Sequence, residues 1–99
     1  MTVLFTPEAL ADIEHIHAYV AVRQSPTRAY KVSSSVRVAI NRLLAFPSFG
    51  RPGRLEGTRE LVVPRLPYVV IYVVHGDEVI IRRVLHQRQQ WPQADDEQE

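Results

Sequence analysis

The sequence predicts an α+β domain, a helical hairpin packed on a twisted antiparallel sheet in the order β-α-α-β-β-β. Three β-branched runs in the last third of the 99 residues predict an antiparallel meander. In the first half, two Ser/Thr-Pro pairs, each followed by an apolar stripe with helical spacing, predict two helices. We expect residues 1–92 to form this single domain, and residues 93–99 to be an acidic, disordered tail.

The first predicted elements are a strand and a helix. A short apolar run, Thr2–Phe5, is the strand. Thr6 and Pro7 predict a helix start directly after it, because the threonine hydroxyl can accept a free backbone N–H and proline has the φ angle of a first helical turn. Apolar residues then recur at spacings of three and four, and this stripe predicts a helix that ends near Val22.

A second helix and a long loop follow. Ser25 and Pro26 repeat the start signal, and the next apolar stripe runs until Pro47, which ends the helix because proline lacks the backbone N–H. The short link between the helices predicts a hairpin. The segment from Pro47 to Thr58 is rich in proline and glycine, so we expect it to be the longest loop of the domain.

The last third of the chain predicts three strands, over Arg59–Val63, Pro67–Val74 and Val79–Leu85. Gly76-Asp77 favours a two-residue turn between the last two strands. That turn predicts a register, which pairs Val74 with Val79, Tyr72 with Ile81, Val70 with Arg83 and Tyr68 with Leu85.

This register assigns side chains to the two faces of the sheet. Tyr68, Tyr72 and Arg83 share one face, which we expect to be open. The helical hairpin is expected to cover the other, aliphatic face, which carries Val69, Ile71, Val73, Ile80 and Val84. Arg82 is the one polar exception on that face, and a register slip of one residue would exchange it with Arg83.

Charge and composition limit the classes of function. The net charge is +1, but four of the eleven acids lie in the last five residues, and without them twelve Lys and Arg face seven acids. A basic body indicates an anionic partner, either nucleic acid or an acidic protein segment. The chain has no cysteine, which excludes disulfides and thiolate metal sites, and no apolar run as long as a membrane span. We expect a cytoplasmic protein without a membrane contact.

Three short motifs in the last third carry a family resemblance. They are Gly57, Arg59 and Glu60, then Pro67, Tyr68 and Tyr72, and finally His86, Arg88 and Pro92. Together they resemble the toxins of the RelE/ParE superfamily of type II toxin–antitoxin modules, and ParE-like members in particular. The resemblance extends over nearly the whole chain.

The resemblance implies a growth-inhibiting bacterial toxin that a cognate ParD-like antitoxin neutralises. Such an antitoxin joins a DNA-binding region, often ribbon-helix-helix, to a segment that wraps the toxin, so the complex is expected to be a hetero-oligomer. Operator DNA would be contacted only through that complex. ParE-like toxins poison DNA gyrase by binding it, and this is the leading expectation. The alternatives are ribosome-dependent mRNA cleavage, as in RelE-like nucleases, and an inactive module that only binds antitoxin.

The candidate target-binding residues are cationic or aromatic. They are Arg59, Tyr68, Tyr72, Arg83, His86, Arg88 and Trp91. In the nuclease alternative, His86 would be the acid or base, and Arg59 or Arg83 would bind the phosphate, because the planar guanidinium donates two parallel hydrogen bonds. ParE-like toxins are understood to lack a classical active site, so the resemblance favours binding over hydrolysis.

Each candidate also has a structural alternative. The two tyrosines could be half-buried strand residues, His86 could hold only structural hydrogen bonds, and Trp91 could cap the end of the sheet. No metal site or cofactor is expected. His15 and His17 are two apart on a helix and face different directions, and the better-spaced Asp12 and His15 lack a third ligand.

Overall fold

The computed structural model describes residues 1–92, so the predicted acidic tail, residues 93–99, lies outside the described part of the chain. It contains two helices and five strands. In chain order they are β1 Thr2–Phe5, α1 Pro7–Arg23, α2 Pro26–Ala45, β2 Arg51–Pro52, β3 Arg59–Val62, β4 Tyr68–His75 and β5 Glu78–His86.

Both helix starts are built as the sequence predicts. The Thr6 hydroxyl accepts the backbone N–H of Ala9 at 3.0 Å, and the Ser25 hydroxyl accepts that of Arg28 at the same distance. The hydroxyl of Thr6 also donates to the carbonyl of Arg82 at 2.8 Å, so the first cap fastens α1 to β5. The two helices form the predicted hairpin. None of the helices within residues 1–92 combines the length and apolar content that crossing a membrane requires.

The helical hairpin packs on one mixed sheet with the strand order β1-β5-β4-β3-β2. The expected fold class and element order are confirmed. The antiparallel part is the predicted meander, extended by the short strand β2 from the long loop. β1 joins the other edge in parallel to β5, with Thr2 opposite Glu78 and Phe5 opposite Ile81.

A bulge in β5 corrects the predicted register. Near the turn the predicted pairs are right, with Val74 opposite Val79 and Tyr72 opposite Ile81. The next pair joins Ile71 to Arg83, so Arg82 is an extra residue without an opposite partner on β4. The predicted pairs beyond this point are therefore wrong. Val70 lies opposite Val84, and Tyr68 lies opposite His86.

The prediction of which face the helices cover was also wrong. The helix-facing core contains Tyr72, buried completely, together with Val70, Val79, Ile81 and Val84. The opposite face carries Val69, Ile71 and Leu85, and it is covered by Trp91 and Leu55. Strict alternation could not decide between the faces, because both are apolar along β4. Val84 lies on the helix-facing side because the bulge moves every later residue of β5 across the sheet.

Candidate functional site

A cleft of about 380 Å³ lies between α1, the first residue of β4 and the last residue of β5, and we call it the α1 cleft. Its lining is mostly aromatic and apolar, and consists of His15, Ile16, Tyr19, Tyr68, His86 and Gln89. Tyr68 and His86 are direct cross-strand partners, and their rings meet edge to face with centroids 5.8 Å apart. The bulge brings these two residues together, because it moves His86 opposite Tyr68.

His86 is held in place by the turn that follows β5. Its backbone N–H donates to Oε1 of Gln89 at 2.8 Å, and its carbonyl accepts the N–H of Gln89 at 2.9 Å. The ring Nδ1 accepts the backbone N–H of Arg88 at 3.1 Å. With Nδ1 as the acceptor, Nε2 is the ring nitrogen that can donate a hydrogen bond. His86 is thus a half-buried, oriented hydrogen-bond donor in the α1 cleft.

The aromatic wall of the α1 cleft comes from two elements. Burial raises the pKa of the Tyr68 phenol above its usual 10.0; nearby Tyr19 adds to the rise and Arg28 opposes it. Tyr68 is therefore a neutral hydrogen-bonding group at neutral pH and not a general base. On α1, the guanidinium of Arg23 lies 5.0 Å from the ring centre of Tyr19. Tyr19 is 53% exposed, so its ring is available to a partner.

Arg83 is bound to α1. Its Nε donates to Oδ2 of Asp12 at 2.8 Å and its Nη2 donates to Oδ1 at 3.0 Å, while the backbone N–H of Val84 also donates to Oδ2 at 3.0 Å. β1 pairs with β5 only as far as Ile81. Beyond Ile81 the carboxylate of Asp12, and not a strand, accepts the N–H of Val84. The predicted phosphate clamp therefore fastens α1 to the sheet edge.

Arg59 and Tyr72 hold the loop that follows α2. The Tyr72 hydroxyl donates to the carbonyl of Pro47 at 2.7 Å and accepts the N–H of Gly50 at 2.8 Å. Nη1 of Arg59 donates to the carbonyls of Gly50 at 2.7 Å and Ser48 at 3.2 Å. Tyr72 is fully buried, so the expectation that it lies on the open face is corrected.

Trp91 and Glu60 tie the outer face of the sheet together. Trp91 is 6% exposed and packs on Val69, Ile71 and Leu85. Its carbonyl accepts Nη1 of Arg54 at 2.9 Å, and this is the arrangement of a residue that closes the core. The buried Glu60 carboxylate binds Arg51 and the backbone of Arg54, both at 3.1 Å.

The predicted site residues thus fall into two groups. Tyr68 and His86 line the α1 cleft, and Arg88 adjoins it through its backbone bond to His86. The other four make contacts within the fold, namely Arg59, Tyr72, Arg83 and Trp91. Sequence reasoning missed His15, Tyr19 and Gln89, which also line this cleft. The available signal for the first two was their position beside the apolar stripe of α1.

Comparison with known proteins gives the family. The chain matches the family described as the ParE toxin of the type II toxin–antitoxin system parDE over residues 3–91. A Sinorhizobium fredii protein named "Putative toxin Y4kP" is 39% identical over 90 residues, which cover 91% of this chain and 92% of that protein.

Solved structures show the same architecture. A chain of the chromosomal ParDE TA system from P. aeruginosa superposes with a TM-score of 0.80 at 28% identity, over 87% of this chain and 95% of that chain. The RelB-RelE antitoxin-toxin complex from Methanococcus jannaschii matches with a TM-score of 0.52 at 20% identity, over 86% and 91% of the two chains. At this identity the second match shows the fold alone.

A helical hairpin on a mixed five-stranded sheet is the architecture of the RelE/ParE superfamily, and this protein is a type II toxin of that superfamily. Within it, the chain belongs to the ParE toxin family, since the match to that family extends from β1 to Trp91.

Proposed function

We propose that this protein arrests bacterial growth by binding DNA gyrase, and that the α1 cleft with the adjoining Arg88 is part of the contact surface. The cleft offers what a protein-binding site commonly has, namely aromatic rings beside a few oriented polar groups. Tyr19 and Tyr68 supply the rings, and His86 supplies an oriented N–H.

One observation carries the preference for binding over hydrolysis. The nuclease alternative needs Arg59, Arg83 and His86 to act on one phosphate. The guanidinium of Arg83 is bound to Asp12, and that of Arg59 is bound to two loop carbonyls. Arg59 lies opposite Tyr72 of β4, and His86 lies opposite Tyr68 of the same strand. Because Tyr68 and Tyr72 are four residues apart, Arg59 and His86 are separated by about 13 Å along the strand direction. This dispersal supports a binding mechanism.

The proposed partners follow from the family. A cognate ParD-like antitoxin, with a ribbon-helix-helix region for operator DNA, would neutralise the toxin in a hetero-oligomeric complex in the cytoplasm. The basic surface of the chain supports an acidic partner segment. Contact with operator DNA would be made by the antitoxin.

The first experiment is pulse-labelling of DNA and protein synthesis in bacteria directly after induction of this chain. We expect DNA synthesis to stop first, and the purified chain to inhibit supercoiling by gyrase. His86→Ala should weaken both effects by about tenfold, which corresponds to the loss of one well-placed contact. The matched control is His75→Ala, since His75 is exposed at the opposite end of β4.

The opposite order of events would contradict the proposal. If protein synthesis stops first and mRNA is cut on ribosomes, the toxin is a nuclease of the RelE type, and His86 is then its leading catalytic candidate. If neither synthesis stops, the chain is a module that only binds antitoxin.

A further inference from the structure

A second, larger groove of about 780 Å³ lies on the other helix, between α2 and the turn that joins β3 to β4. We call it the α2 groove. Four cations surround an apolar and small-residue floor in its lining, which consists of Arg28, Lys31, Ser34, Ser35, Val38, Ala39, Arg42, Pro64, Arg65 and Leu66. It shares no lining residue with the α1 cleft.

The helix side of the groove is one continuous stripe. Positions 28, 31, 35, 38 and 42 recur at spacings of three and four, so they lie on one face of α2. The buried residues of α2 fall on other positions, among them Val32, Val36 and Leu43. The stripe spans about 21 Å from its first to its last cation, at 1.5 Å per residue. Its middle is a serine and a half-exposed valine.

Within the described residues, no carboxylate binds the cations of this groove. Between Glu14 and Glu56 the sequence contains no Asp or Glu, although it contains seven Arg and Lys. Within residues 1–92, Glu60 forms ion pairs with Arg51 and Arg54, Asp12 forms one with Arg83, and no carboxylate binds a cation of the α2 groove. Four cations that no carboxylate of residues 1–92 binds make a site for an anionic group.

The turn on the far side of the groove holds Arg65 in an unfavourable backbone conformation. Arg65 has a φ of 66°, a left-handed conformation that glycine adopts without penalty and arginine does not. The turn is closed by the N–H of Val63 donating to the carbonyl of Tyr68 at 2.9 Å. A charged side chain kept in an unfavourable conformation at a groove rim is consistent with a functional role.

We propose that the α2 groove binds an acidic amphipathic segment of a partner protein, and that under the proposed function this partner is the antitoxin. Apolar side chains of the segment would pack on Val38, Pro64 and Leu66. Its carboxylates would pair with Arg28 and Lys31 at one end and with Arg42 and Arg65 at the other. The inference rests on the proposed function only for the identity of the partner.

The floor of the groove favours a peptide over a nucleic acid. A phosphate backbone has one charge per nucleotide and no apolar side chain, so it is best matched by evenly spaced cations. Here the cations of α2 stand at the two ends of the stripe, and Val38, 52% exposed, lies between them. A segment with acidic ends and an apolar middle matches that pattern.

The test uses the full chain and a fluorescein-labelled synthetic peptide of about 14 residues, long enough to span the stripe as a helix, with central leucines and acidic ends. The double variant Lys31→Glu/Arg42→Glu should weaken binding by about tenfold or more. Arg37→Glu is the matched control, because Arg37 is an exposed cation of α2 outside the groove, and it should change binding by less than about twofold.

A second pair of variants tests the apolar floor independently of the cations. Val38→Asp should weaken binding of the peptide by about tenfold. Val22→Asp, at an 84% exposed position on α1, should leave binding of the peptide unchanged. Equal binding by the groove variants and their controls would overturn the proposal. Tighter binding of a short DNA duplex than of the peptide would also overturn it, since the groove would then be a nucleic-acid site.

Growth assays separate this proposal from the proposed function. With the reading frame next to the toxin gene supplied as antitoxin, the Lys31→Glu/Arg42→Glu chain should remain toxic and escape neutralisation. A variant that is toxic and fully neutralised would overturn the groove assignment and leave the toxin function intact. A parent chain without toxicity would contradict the proposed function, while the peptide measurement would still decide on the groove.

Discussion

Arg83 and Asp12, 71 residues apart in sequence, form a bidentate ion pair with donor–acceptor distances of 2.8 and 3.0 Å. The pair joins α1 to β5 at the bulge, where the sheet edge is no longer covered by β1. The side chains are only 21% and 13% exposed, so water screens the pair weakly. A residue whose chemistry suggests catalysis thus orients the helix that forms one wall of the α1 cleft.

Removing the carboxylate should destabilise the fold. Asp12→Ala removes the acceptor of two bonds from the Arg83 guanidinium and of one from the N–H of Val84, and we expect the free energy of unfolding to fall by about 2 kcal/mol. Urea denaturation gives this value. Glu14→Ala, at an exposed acid on the same helix, is the control and should change it by less than about 0.5 kcal/mol. Equal effects of the two changes would contradict the structural role of the pair.

The Tyr72 hydroxyl should stabilise the loop after α2. Tyr72→Phe removes a donor from the Pro47 carbonyl and an acceptor from the buried N–H of Gly50, so we expect a loss of about 1–3 kcal/mol. Tyr68→Phe is the matched control, because its hydroxyl forms no hydrogen bond within residues 1–92. Chemical denaturation of both variants measures the difference. A loss for Tyr68→Phe as large as for Tyr72→Phe would show that the loop bonds contribute little.

The same hydroxyl predicts a dependence of stability on alkaline pH. Burial raises the pKa of Tyr72 above its ordinary 10.0, against the opposing influences of the Gly50 N–H and of Arg59. A raised pKa in the folded state means that the stabilisation is complete below pH 10.0 and is lost as the pH rises through the folded pKa. The free energy of unfolding, measured on both sides of this pH, should fall more steeply for the parent chain than for Tyr72→Phe. Parallel curves would exclude Tyr72 as the source.

Arg65 should show opposite effects on stability and on binding. Glycine adopts the left-handed backbone conformation without penalty, so Arg65→Gly removes the strain at this position. The greater freedom of glycine in the unfolded chain offsets part of this effect, and we expect the free energy of unfolding to rise by about 0.5 kcal/mol. Binding of the acidic peptide should weaken, because the cation is lost. Arg65→Ala loses the same charge but keeps the strain, so it should weaken binding without the gain. A glycine variant that binds the peptide as tightly as the parent chain would show that this cation is unused.

Local chemistry made much of the fold predictable. Thr6 and Ser25 begin the helices, Pro47 lies just beyond the second, and the Gly76-Asp77 turn set the first pairs of β4 with β5 correctly. These features depend on neighbours within a few residues, so a single sequence contains them. The motifs in the last third indicate the superfamily for the same reason, since each is short and contiguous or nearly so in sequence.

Long-range contacts decided the candidate site. The bulge at Arg82 placed His86 opposite Tyr68, and the choice of face buried Tyr72 under the helices. Neither follows from alternation, because a bulge shifts the period and both faces of β4 are apolar.

By itself the sequence determined the two helices, the meander, the superfamily and a basic surface with few acids, since each depends on local pattern or composition. Only the tertiary structure decided which cations of residues 1–92 lie beside a carboxylate and which line a groove. Arg83 and Asp12 meet from opposite ends of the chain, whereas Arg28 and Arg65 lie beside one groove with no carboxylate among its lining residues. The pairing of a charge depends on neighbours distant in sequence, and those neighbours exist only after the chain has folded.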